Sequence, residues 1–521
     1  MILGLAGLVL LGWFASPVAN PDTWWHLETG RYIWQTHRLP SPDPFAFTTA
    51  GAPSAYPAEP EVRRFNLTHE WLAQVIFYLA WAAGGFPAMI LLRAAMLAGF
   101  CALAGLATYH RTRGFYRALA VSLVAGFMAG NFAADRPFLF TYLILAITIY
   151  VLETAAATWK LWTLPILFLA WANCHGGYFL GWVVLAAYSL DALRSAAPAR
   201  RNIWIASGAS ILLCAVNPNG FRAIPVTLAY RSSVLQGSLW EWQHPQLWPP
   251  DLFAAVLFLA AAILLWQRRK VRVADWIMFA AFAAASLLAI RNTILIGWLG
   301  PVVIASYVPV ARALPLWAEF AAAVLLIGAG TAEAASGTPL HLRVEDWLYP
   351  EGAADFVSSH HLPGPIFNTY EHGGYLMWRL WPEQKVFIDG RALSEAVFHD
   401  YQRILYALPA AGAEMSGLQL LDRYGIQTIV VNGFEYGSGA VYLLPVALAD
   451  PRQRDWKLVY QDSQAMVFAR TVPPGTAQLP ATDIFRSLES QCSAHIARIP
   501  SEPFCAQQLQ IVERQIGILP R

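Results

Sequence analysis

The first two thirds of the chain consist of long apolar runs separated by short polar segments, and the last third mixes polar and apolar positions. A helix needs about 20 mostly apolar residues to cross the hydrocarbon core of a bilayer. By that measure the sequence predicts about eleven membrane-spanning helices, with a re-entrant pair near 161–192 as an alternative for two short ones. The predicted spans are 1–19, 86–109, 118–134, 138–156, 161–175, 177–192, 203–217, 251–267, 275–290, 293–310 and 314–331.

Two apolar segments need a separate interpretation. The first run has no basic residues before it and a poor cleavage site at Ala15-Ser16-Pro17, so we interpret it as a retained first helix. The segment 71–83 is followed by Gly84 and Gly85, and we place it at the outer interface of the membrane rather than across it.

Basic residues in the short loops set the orientation of the spans, because loops that stay in the cytoplasm are enriched in Lys and Arg. With the N-terminus inside, every short loop rich in Lys or Arg faces the cytoplasm and the C-terminal third lies outside. These loops contain Arg111, Arg113 and Arg117; Lys160; Arg194, Arg200 and Arg201; Arg268, Arg269, Lys270 and Arg272; and Arg312. The sequence therefore predicts a multi-pass protein of a bacterial inner membrane with a periplasmic C-terminal domain.

Charge separates two domains. The chain is 57% hydrophobic and 13% charged, whereas about a quarter of the residues in a soluble domain are charged. Residues 1–331 contain 13 of the 33 acidic residues and residues 332–521 contain 20. We predict a transmembrane domain at 1–331, with long outer loops at 20–70 and 217–250, and an extracytoplasmic α/β domain at 332–521. The net charge of +2 gives no indication of a nucleic-acid partner.

Short runs of β-branched and aromatic residues predict a sheet in the C-terminal domain. The predicted strands are 365–370, 385–389 and 427–431, followed by a closing hairpin at 456–460 and 465–468. Cys492 and Cys505 lie in the same domain. An oxidising compartment permits a disulfide there, worth about 3 kcal/mol for such a short loop; two unrelated thiols are the alternative.

Polar residues that are costly to place in a bilayer gather at the predicted outer surface. Asp135-Arg136 and Asn173-Cys174-His175 interrupt apolar sequence almost without a loop. Ionisable groups at such depth face a cavity or a partner and indicate function. An ordinary turn or interfacial position explains each residue alone, but the set predicts an outward-facing, water-filled site. Its members are Asp22, His26, Glu28, His69, Glu70, Asp135, Arg136, Asn173, His175, Asn217, Asn219, Glu241, His244, Arg291 and Asn292.

Asp22 and His26 form the most informative pair. In a helix they share one face, where a carboxylate beside an imidazole can accept a proton from an attacking hydroxyl or help to hold a metal. Mg²⁺ or Mn²⁺ prefers oxygen ligands, so Asp22 with Asp135 or Glu70 is the candidate set. A helix-capping Asp22 with an interfacial His26 is the alternative. Arg93 lies about seven residues inside the second span, and we interpret it as snorkelling to the outer surface, with a lipid phosphate as the alternative partner.

The layout resembles the GT-C class of membrane glycosyltransferases, which use polyprenyl-phosphate-linked sugar donors. The shared pattern is a first helix, an Asp at the start of a long outer loop, an acid in the second outer loop, many spans and an extracytoplasmic C-terminal domain. The chain is also similar to uncharacterised bacterial membrane proteins beside that class. The motifs shared with them are Asp-x-Trp-Trp-His-Leu-x-x-Gly (Asp22 to Gly30), His-Glu-Trp-Leu-Ala-Gln (His69 to Gln74), Trp-Ala-Asn-x-His-Gly-Gly (Trp171 to Gly177) and Phe-Ile-Asp-Gly-Arg (Phe387 to Arg391).

The resemblance implies roles for two acids. In that class the first-loop Asp is taken as the catalytic base or a metal ligand, which points to Asp22, and the second-loop acid corresponds to Asp135. The class often has a paired acidic motif at the second position, whereas here Arg136 follows Asp135. The segment Tyr370 to Tyr375 is similar to the Trp-Trp-Asp-Tyr-Gly signature of oligosaccharyltransferases, and a Gly-Gly turn between two strands explains it equally well.

We therefore predict transfer of a sugar from a polyprenyl-phosphate donor to an envelope acceptor at the outer face. The predicted catalytic residues are Asp22, His26, Glu70 and Asp135, and the predicted substrate-binding residues are His69, Arg136, Asn173, His175 and Arg291. One alternative is a non-catalytic assembly or binding protein for envelope polymers, which the missing second acid supports. A transporter is the other alternative, although the chain has neither matching halves nor midplane ion sites.

Overall fold

The computed structural model describes residues 2–154, 159–194, 197–230, 240–309, 340–450, 452–498 and 504–516, together with 321, 324–325, 327–330 and 332. The chain divides into two compact units. The helical unit comprises Met1–Asn20, Thr29–Leu39 and Arg64–Val344. The mixed-sheet unit comprises Pro21–Glu28, Pro40–Arg63 and Glu345–Arg521, so it includes two stretches of the predicted first outer loop.

The helical unit is built from apolar helices. Its helices, including two that begin in the other unit, are α1 (Ile2–Phe14), α2 (Asp22–Thr36), α3 (Glu59–Thr68), α4 (Trp71–Thr112), α5 (Phe115–Ala129), α6 (Phe138–Thr154), α7 (Thr163–Cys174), α8 (Phe179–Asp191), α9 (Ala197–Leu213), α10 (Ala223–Tyr230), α11 (Leu252–Trp266), α12 (Val273–Leu288) and α13 (Thr293–Tyr307).

Several of these helices suit a bilayer. By length and composition, four helical segments in the described residues can cross a membrane, namely Glu59–Thr112, Phe115–Phe132, Gly176–Arg194 and Ile290–Tyr307. Shorter apolar helices are Ile2–Phe14, Phe138–Thr154, Leu252–Trp266 and Val273–Leu288. The chain is therefore a multi-pass membrane protein, and the predicted number of eleven spans is not reached in this count. The last predicted span, 314–331, falls largely outside the described residues.

The segment 71–83 is continuous with the second predicted span. Both belong to α4, which is interrupted where Gly84 has φ −161° and ψ 24° and Gly85 has φ 65° and ψ −158°. Glycine adopts a positive φ without the steric cost that a Cβ brings. The two glycines therefore allow a break inside α4, two residues before Pro87.

Charged residues mark both ends of the helices. His69 and Glu70 precede α4, and Arg111 lies in its last turn. At that far end Arg111 Nη2 lies 3.0 Å from Asp275 Oδ1, and Arg272 Nη2 lies 2.6 Å from Glu153 Oε1. Arg111 also pairs with Glu153, so two guanidinium groups and two carboxylates balance each other across three helices. The opposite ends carry the candidate site described below.

The mixed-sheet unit has a four-stranded sheet. Its strands are β1 (Ile366–Asn368), β2 (Thr428–Val431), β3 (Lys457–Gln461) and β4 (Met466–Ala469), in the order β1-β2-β4-β3. β1 and β2 are parallel and the other pairs are antiparallel. The predicted strand 385–389 is wrong: only an isolated bridge joins Val386 to Ala46, because Asn368 Oδ1 instead accepts the N–H of Phe387.

Helices cover this sheet and carry its core. They are α14 (Glu351–Ser359), α15 (Tyr370–Leu380), α16 (Glu395–Leu405), α17 (Gly417–Arg423), α18 (Leu443–Leu448), α19 (Thr482–Arg498) and α20 (Phe504–Ile516). Side-chain caps fix two of the starts: Ser394 accepts from Val397 N, and Ser416 forms a capping box with Gln419. A disulfide joins Cys492 of α19 to Cys505 of α20.

Candidate functional site

Asp22 begins α2 and packs closely against Trp25 and Gly390 of the mixed-sheet unit. We call this surrounding of its carboxylate the Asp22 cradle. Asp22 Oδ1 accepts a hydrogen bond of 3.0 Å from the indole N–H of Trp25. A Cβ added to Gly390 would stand 2.2 Å from the same oxygen. Only a glycine therefore lets this backbone approach the carboxylate, and the Phe-Ile-Asp-Gly-Arg motif meets the Asp-x-Trp-Trp-His motif here. His26 shares the helix with Asp22, as predicted, and is buried.

The segment similar to the oligosaccharyltransferase signature packs around the same cradle. It opens α15, so the alternative of a Gly-Gly turn between strands is wrong. A Cβ on Gly373 would stand 2.0 Å from Ile388 O, and one on Gly374 would stand 3.0 Å from Pro21 O. The two glycines thus let α15 lie directly on the backbone before Asp22 and on the backbone before Gly390.

The charged residues of the Phe-Ile-Asp-Gly-Arg motif form an internal ion pair. Arg391 Nη2 lies 2.6 Å from Asp389 Oδ2 and 3.2 Å from Asp43 Oδ2, and all three side chains are buried. Burial raises the pKa of Asp43, and the guanidinium of Arg391 opposes that rise. These charges hold the loop that presents Gly390 to Asp22.

A second cluster lies in the helical unit, where Glu70 faces two imidazoles. His175 Nε2 is 3.7 Å and His69 Nε2 is 3.3 Å from Glu70 Oε1. The backbone N–H of Gly177 donates to His175 Nδ1 at 3.1 Å. That contact leaves the proton of a neutral His175 on Nε2, directed at Glu70.

His69 faces the same carboxylate oxygen as His175. Its Nδ1 lies 2.9 Å from the carbonyl oxygen of Phe65, which can only accept, so Nδ1 donates there. That leaves Nε2 directed at Glu70 Oε1, 3.3 Å away. An imidazole and a carboxylate in this arrangement are suited to proton transfer.

Small residues and amides assemble this second cluster. A Cβ on Gly176 would stand 3.3 Å from His69 Cδ2, and one on Gly177 would stand 2.9 Å from His175 Nδ1. Asn173 accepts from Trp71 Nε1 at 2.8 Å and donates both amide hydrogens to the carbonyl groups of Leu169 and Val216. Asn173 therefore joins three segments of the helical unit around the imidazoles.

One member of the cluster was not predicted. Thr141 Oγ1 lies 2.7 Å from His175 Nδ1 and accepts from Trp171 Nε1 at 2.8 Å. It holds the His175 ring from inside α6. A single threonine in an apolar helix gives no sequence signal, although Trp171 belongs to a recognised motif.

Two arginines at this end of the helical unit share one carboxylate. Arg136 Nη1 and Arg291 Nη1 each lie 3.2 Å from a different oxygen of Glu241. Arg291 also lies over the ring of Trp242, 4.6 Å from its centroid. The two cations lower the pKa of Glu241 although burial raises it. This arginine clamp carries one net positive charge, and its two arginine side chains remain 22% and 25% exposed.

Asp135 and Arg93 pair with each other in the interior. Arg93 Nη1 lies 2.5 Å from Asp135 Oδ2, and the two side chains are 1% and 0% exposed. The guanidinium also donates to the carbonyl oxygens of Phe14 and Ser16. The interpretation of Arg93 as a snorkelling residue is therefore wrong, since a buried acid from the next outer loop supplies its counter-charge.

These surroundings do not suit a divalent cation at Asp135. A guanidinium already neutralises the carboxylate, and burial raises the pKa of Asp135 to about 6. Within the described ranges no group of three or more His, Cys, Asp or Glu side chains is arranged to hold a metal ion. The predicted Mg²⁺ or Mn²⁺ therefore has no ligand set at Asp135 in the described residues.

Comparison with known proteins gives a match of fold. The chain matches no protein-family model and no curated protein. It is similar to the Archaeoglobus fulgidus oligosaccharyltransferase AglB in complex with an inhibitory peptide and a dolichol-phosphate, at 9% identity and a TM-score of 0.54, over 94% of this chain and 77% of that one. The same archaeal enzyme in complex with Zn and sulfate gives a TM-score of 0.54 at 10% identity, over 94% and 76% of the chains. At the level of fold, the predicted resemblance to the GT-C membrane glycosyltransferases is confirmed.

Proposed function

We propose that this chain transfers a sugar from a polyprenyl-phosphate donor to an acceptor of the bacterial cell envelope, at the outer face of the inner membrane. The fold of an oligosaccharyltransferase is the observation that carries the proposal, because the similar archaeal enzyme holds an inhibitory peptide and a dolichol-phosphate. About eleven spans, a cytoplasmic N-terminus and a periplasmic mixed-sheet unit complete the topology, on the distribution of Lys and Arg.

In the proposed reaction an acceptor hydroxyl attacks the anomeric carbon of the donor. A bond forms between the acceptor oxygen and that carbon, the bond from carbon to the phosphate oxygen breaks, and polyprenyl phosphate leaves. Attack opposite the leaving group inverts the anomeric centre, by the geometric logic of inverting glycosidases.

Asp22 takes the proton of the acceptor hydroxyl. Its carboxylate is half-buried, and Trp25 and Gly390 hold it in one position, as a general base requires. His26, one turn further along α2, supports it. Asp135 has a positioning role, since its charge is committed to Arg93.

The arginine clamp stabilises the departing phosphate. Arg136 and Arg291 share a single carboxylate, so the clamp keeps a net positive charge, and fixed cations at a site of developing negative charge usually contribute strongly to catalysis. Glu70, which lies beside His69 and His175, serves as a second proton carrier on the helical unit.

The test measures polyprenyl phosphate released by the purified protein in lipid nanodiscs, from a panel of polyprenyl-phosphate sugars with an envelope extract as acceptor. Wild type is compared with Asp22→Asn. Asp251→Asn is the matched control, because Asp251 caps α11 and Asn is an equally good cap. Release by wild type and by the control, lost in Asp22→Asn, supports the transferase and its base. Release that survives Asp22→Asn keeps the class and refutes the base.

A non-catalytic assembly protein is the second candidate. The observation in its favour is that the second acid, Asp135, forms a buried ion pair with Arg93. This candidate predicts no release from any donor in the panel while the protein still binds envelope glycans.

A further inference from the structure

The mixed-sheet unit contains a cleft that is separate from the Asp22 cradle. Its volume is about 280 Å³, which is near the lower end of the range for small-molecule sites. Three aromatic side chains, Trp347, Tyr436 and His495, form part of its wall. Ser463 and Gln464 line another part, and Arg498 and Gln491 of α19 also face it.

The aromatic wall is rigid. The rings of Tyr436 and His495 are stacked, with centroids 5.5 Å apart and planes 6° from parallel. Trp347 lies 5.9 Å from His495, and its indole N–H donates to Glu345 at 2.9 Å, which fixes the ring. His495 is 3% exposed and also contacts Phe434. Rings held this way offer flat apolar faces without a large loss of side-chain entropy on binding.

The remaining wall is polar. Ser463 and Gln464 belong to the turn between β3 and β4, where the N–H of Gln464 donates to Asp462 at 2.8 Å and fixes the backbone. The amide of Gln491 accepts from Gly433 N and donates to Ser487. Its side chain therefore shapes the cleft and is not counted as a hydrogen-bonding partner for a ligand. Arg498, in the last turn of α19, adds an exposed cation.

A sugar matches this combination. A pyranose ring has one face of C–H groups that packs on aromatic faces, and an edge of hydroxyl groups that needs donors and acceptors in the same plane. A purely apolar ligand would form no hydrogen bonds with Ser463 and Gln464, and a small anion would not pack against the aromatic wall. We propose that this cleft binds a mono- or disaccharide, and that Arg498 favours an acidic one. The proposal does not depend on the transfer reaction.

The experiment uses the full chain in lipid nanodiscs and three probes: cellobiose, the disaccharide of N-acetylglucosamine, and a cellobiose derivative that carries a glucuronic acid. Calorimetric titration gives a Kd for each. We expect at least one probe to bind, and Trp347→Ala and Gln464→Ala each to raise its Kd roughly tenfold or more. Arg498→Ala weakens the acidic probe only. Trp248→Ala is the control, since Trp248 is 80% exposed and belongs to the helical unit.

Gln464 lies on a half-exposed turn, so its variant tests the cleft even if Trp347→Ala fails to fold. The proposal is overturned if none of the three probes binds at millimolar concentration, or if both wall variants bind like wild type. Release of polyprenyl phosphate is not part of this readout. If no probe binds, the transferase proposal still stands. If the transferase proposal fails, the titration still decides whether the cleft binds a saccharide.

Discussion

Arg93 Nη1 and Asp135 Oδ2 lie 2.5 Å apart in the interior of the helical unit. The pair joins the second predicted span to the loop between α5 and α6. Arg93 also donates to the carbonyl oxygen of Phe14 and so connects the end of α1 to the same pair. Arg93, predicted to snorkel to the outer surface, and Asp135, predicted to be a catalytic acid, thus form one structural unit. Its energetics can be measured separately from any activity.

Removing one partner of this pair should be costlier than removing both. Asp135→Asn leaves a buried guanidinium without its counter-charge, and breaking such a pair typically costs about 3–5 kcal/mol. The double variant Arg93→Met with Asp135→Asn should recover part of that loss. Thermal unfolding in nanodiscs, followed by circular dichroism, measures the coupling; purely additive losses would contradict an energetic pair.

Gly390→Ala should displace the Asp22 carboxylate. The new Cβ would stand 2.2 Å from Asp22 Oδ1, well inside any contact distance. We expect release of polyprenyl phosphate to fall by about 100-fold, since a shift of about 1 Å in a catalytic group has that effect. Gly437→Ala is the control, because a Cβ there meets nothing within 4 Å and no positive φ is involved. Full activity of Gly390→Ala would rule out Asp22 as the base.

Glu70→Gln should impair proton transfer without unfolding the chain. The amide cannot take up a proton, although it keeps the size of the side chain beside His69 and His175. General acid–base groups contribute about 100- to 10,000-fold, so we expect a fall in kcat of that order with KM little changed. Glu61→Gln, an exposed position on α3, is the matched control. An unchanged kcat would assign Glu70 a structural role only.

Neutralising the arginine clamp should weaken both donor binding and the transition state. Arg136→Gln and Arg291→Gln each leave Glu241 with one cation, and the site then loses its net positive charge. We expect each to lower kcat/KM by about 10- to 100-fold, with part of the activity kept in the corresponding Lys variants. Arg201→Gln, at an exposed position in the first turns of α9, is the control. Equal activity in all variants would place the phosphate elsewhere.

Acid should destabilise the mixed-sheet unit through His372. This ring is fully buried, and in the described part of the chain neither of its nitrogens has a hydrogen-bond partner. Burial lowers its pKa from 6.5 to about 3. A group whose folded pKa is lowered contributes stability above its unfolded pKa and loses it as the pH falls, here from 6.5 toward 3, at up to about 1.4 kcal/mol per pH unit.

The measurement is the unfolding midpoint of wild type and His372→Phe between pH 7.5 and 4.5. The variant should lose less stability over that range, since it has no proton to take up on unfolding. Glu371 acts in the opposite direction, because burial raises its pKa, so the comparison of variants isolates the histidine. His399→Phe, at a side chain 56% exposed, should follow wild type. Parallel curves for wild type and His372→Phe would refute the effect.

Much of the candidate site follows from the sequence because of a simple geometric fact. Consecutive spans return to the same surface, so polar residues at alternate breaks must gather at one end. Glu70 and His175 are about 100 positions apart, and the structure places their side chains within 3.7 Å. The position of such residues along the bilayer normal can be derived from the pattern, and their pairing in the plane cannot.

The features that could not be predicted from the sequence depend on partners that are distant along the chain. The sequence around Arg93 does not indicate that Asp135 pairs with it. The sequence around Gly390 does not indicate that the Asp22 carboxylate packs against its backbone. The run 385–389 has the composition of a strand, yet Asn368 takes the backbone N–H of Phe387 that a ladder would need. Composition describes what a segment can do, and these three outcomes depend on which distant segment packs against it in the fold.

The disulfide between Cys492 and Cys505 has a consequence for when α20 is joined to α19. It clips α20 onto α19, the helix that presents Gln491, His495 and Arg498 to the cleft. Thiols stay reduced in the cytoplasm and oxidise outside it. A chain with the proposed topology would therefore form this cross-link only after its last domain has been exported, so the redox state of the two cysteines reports on which side of the membrane the mixed-sheet unit lies.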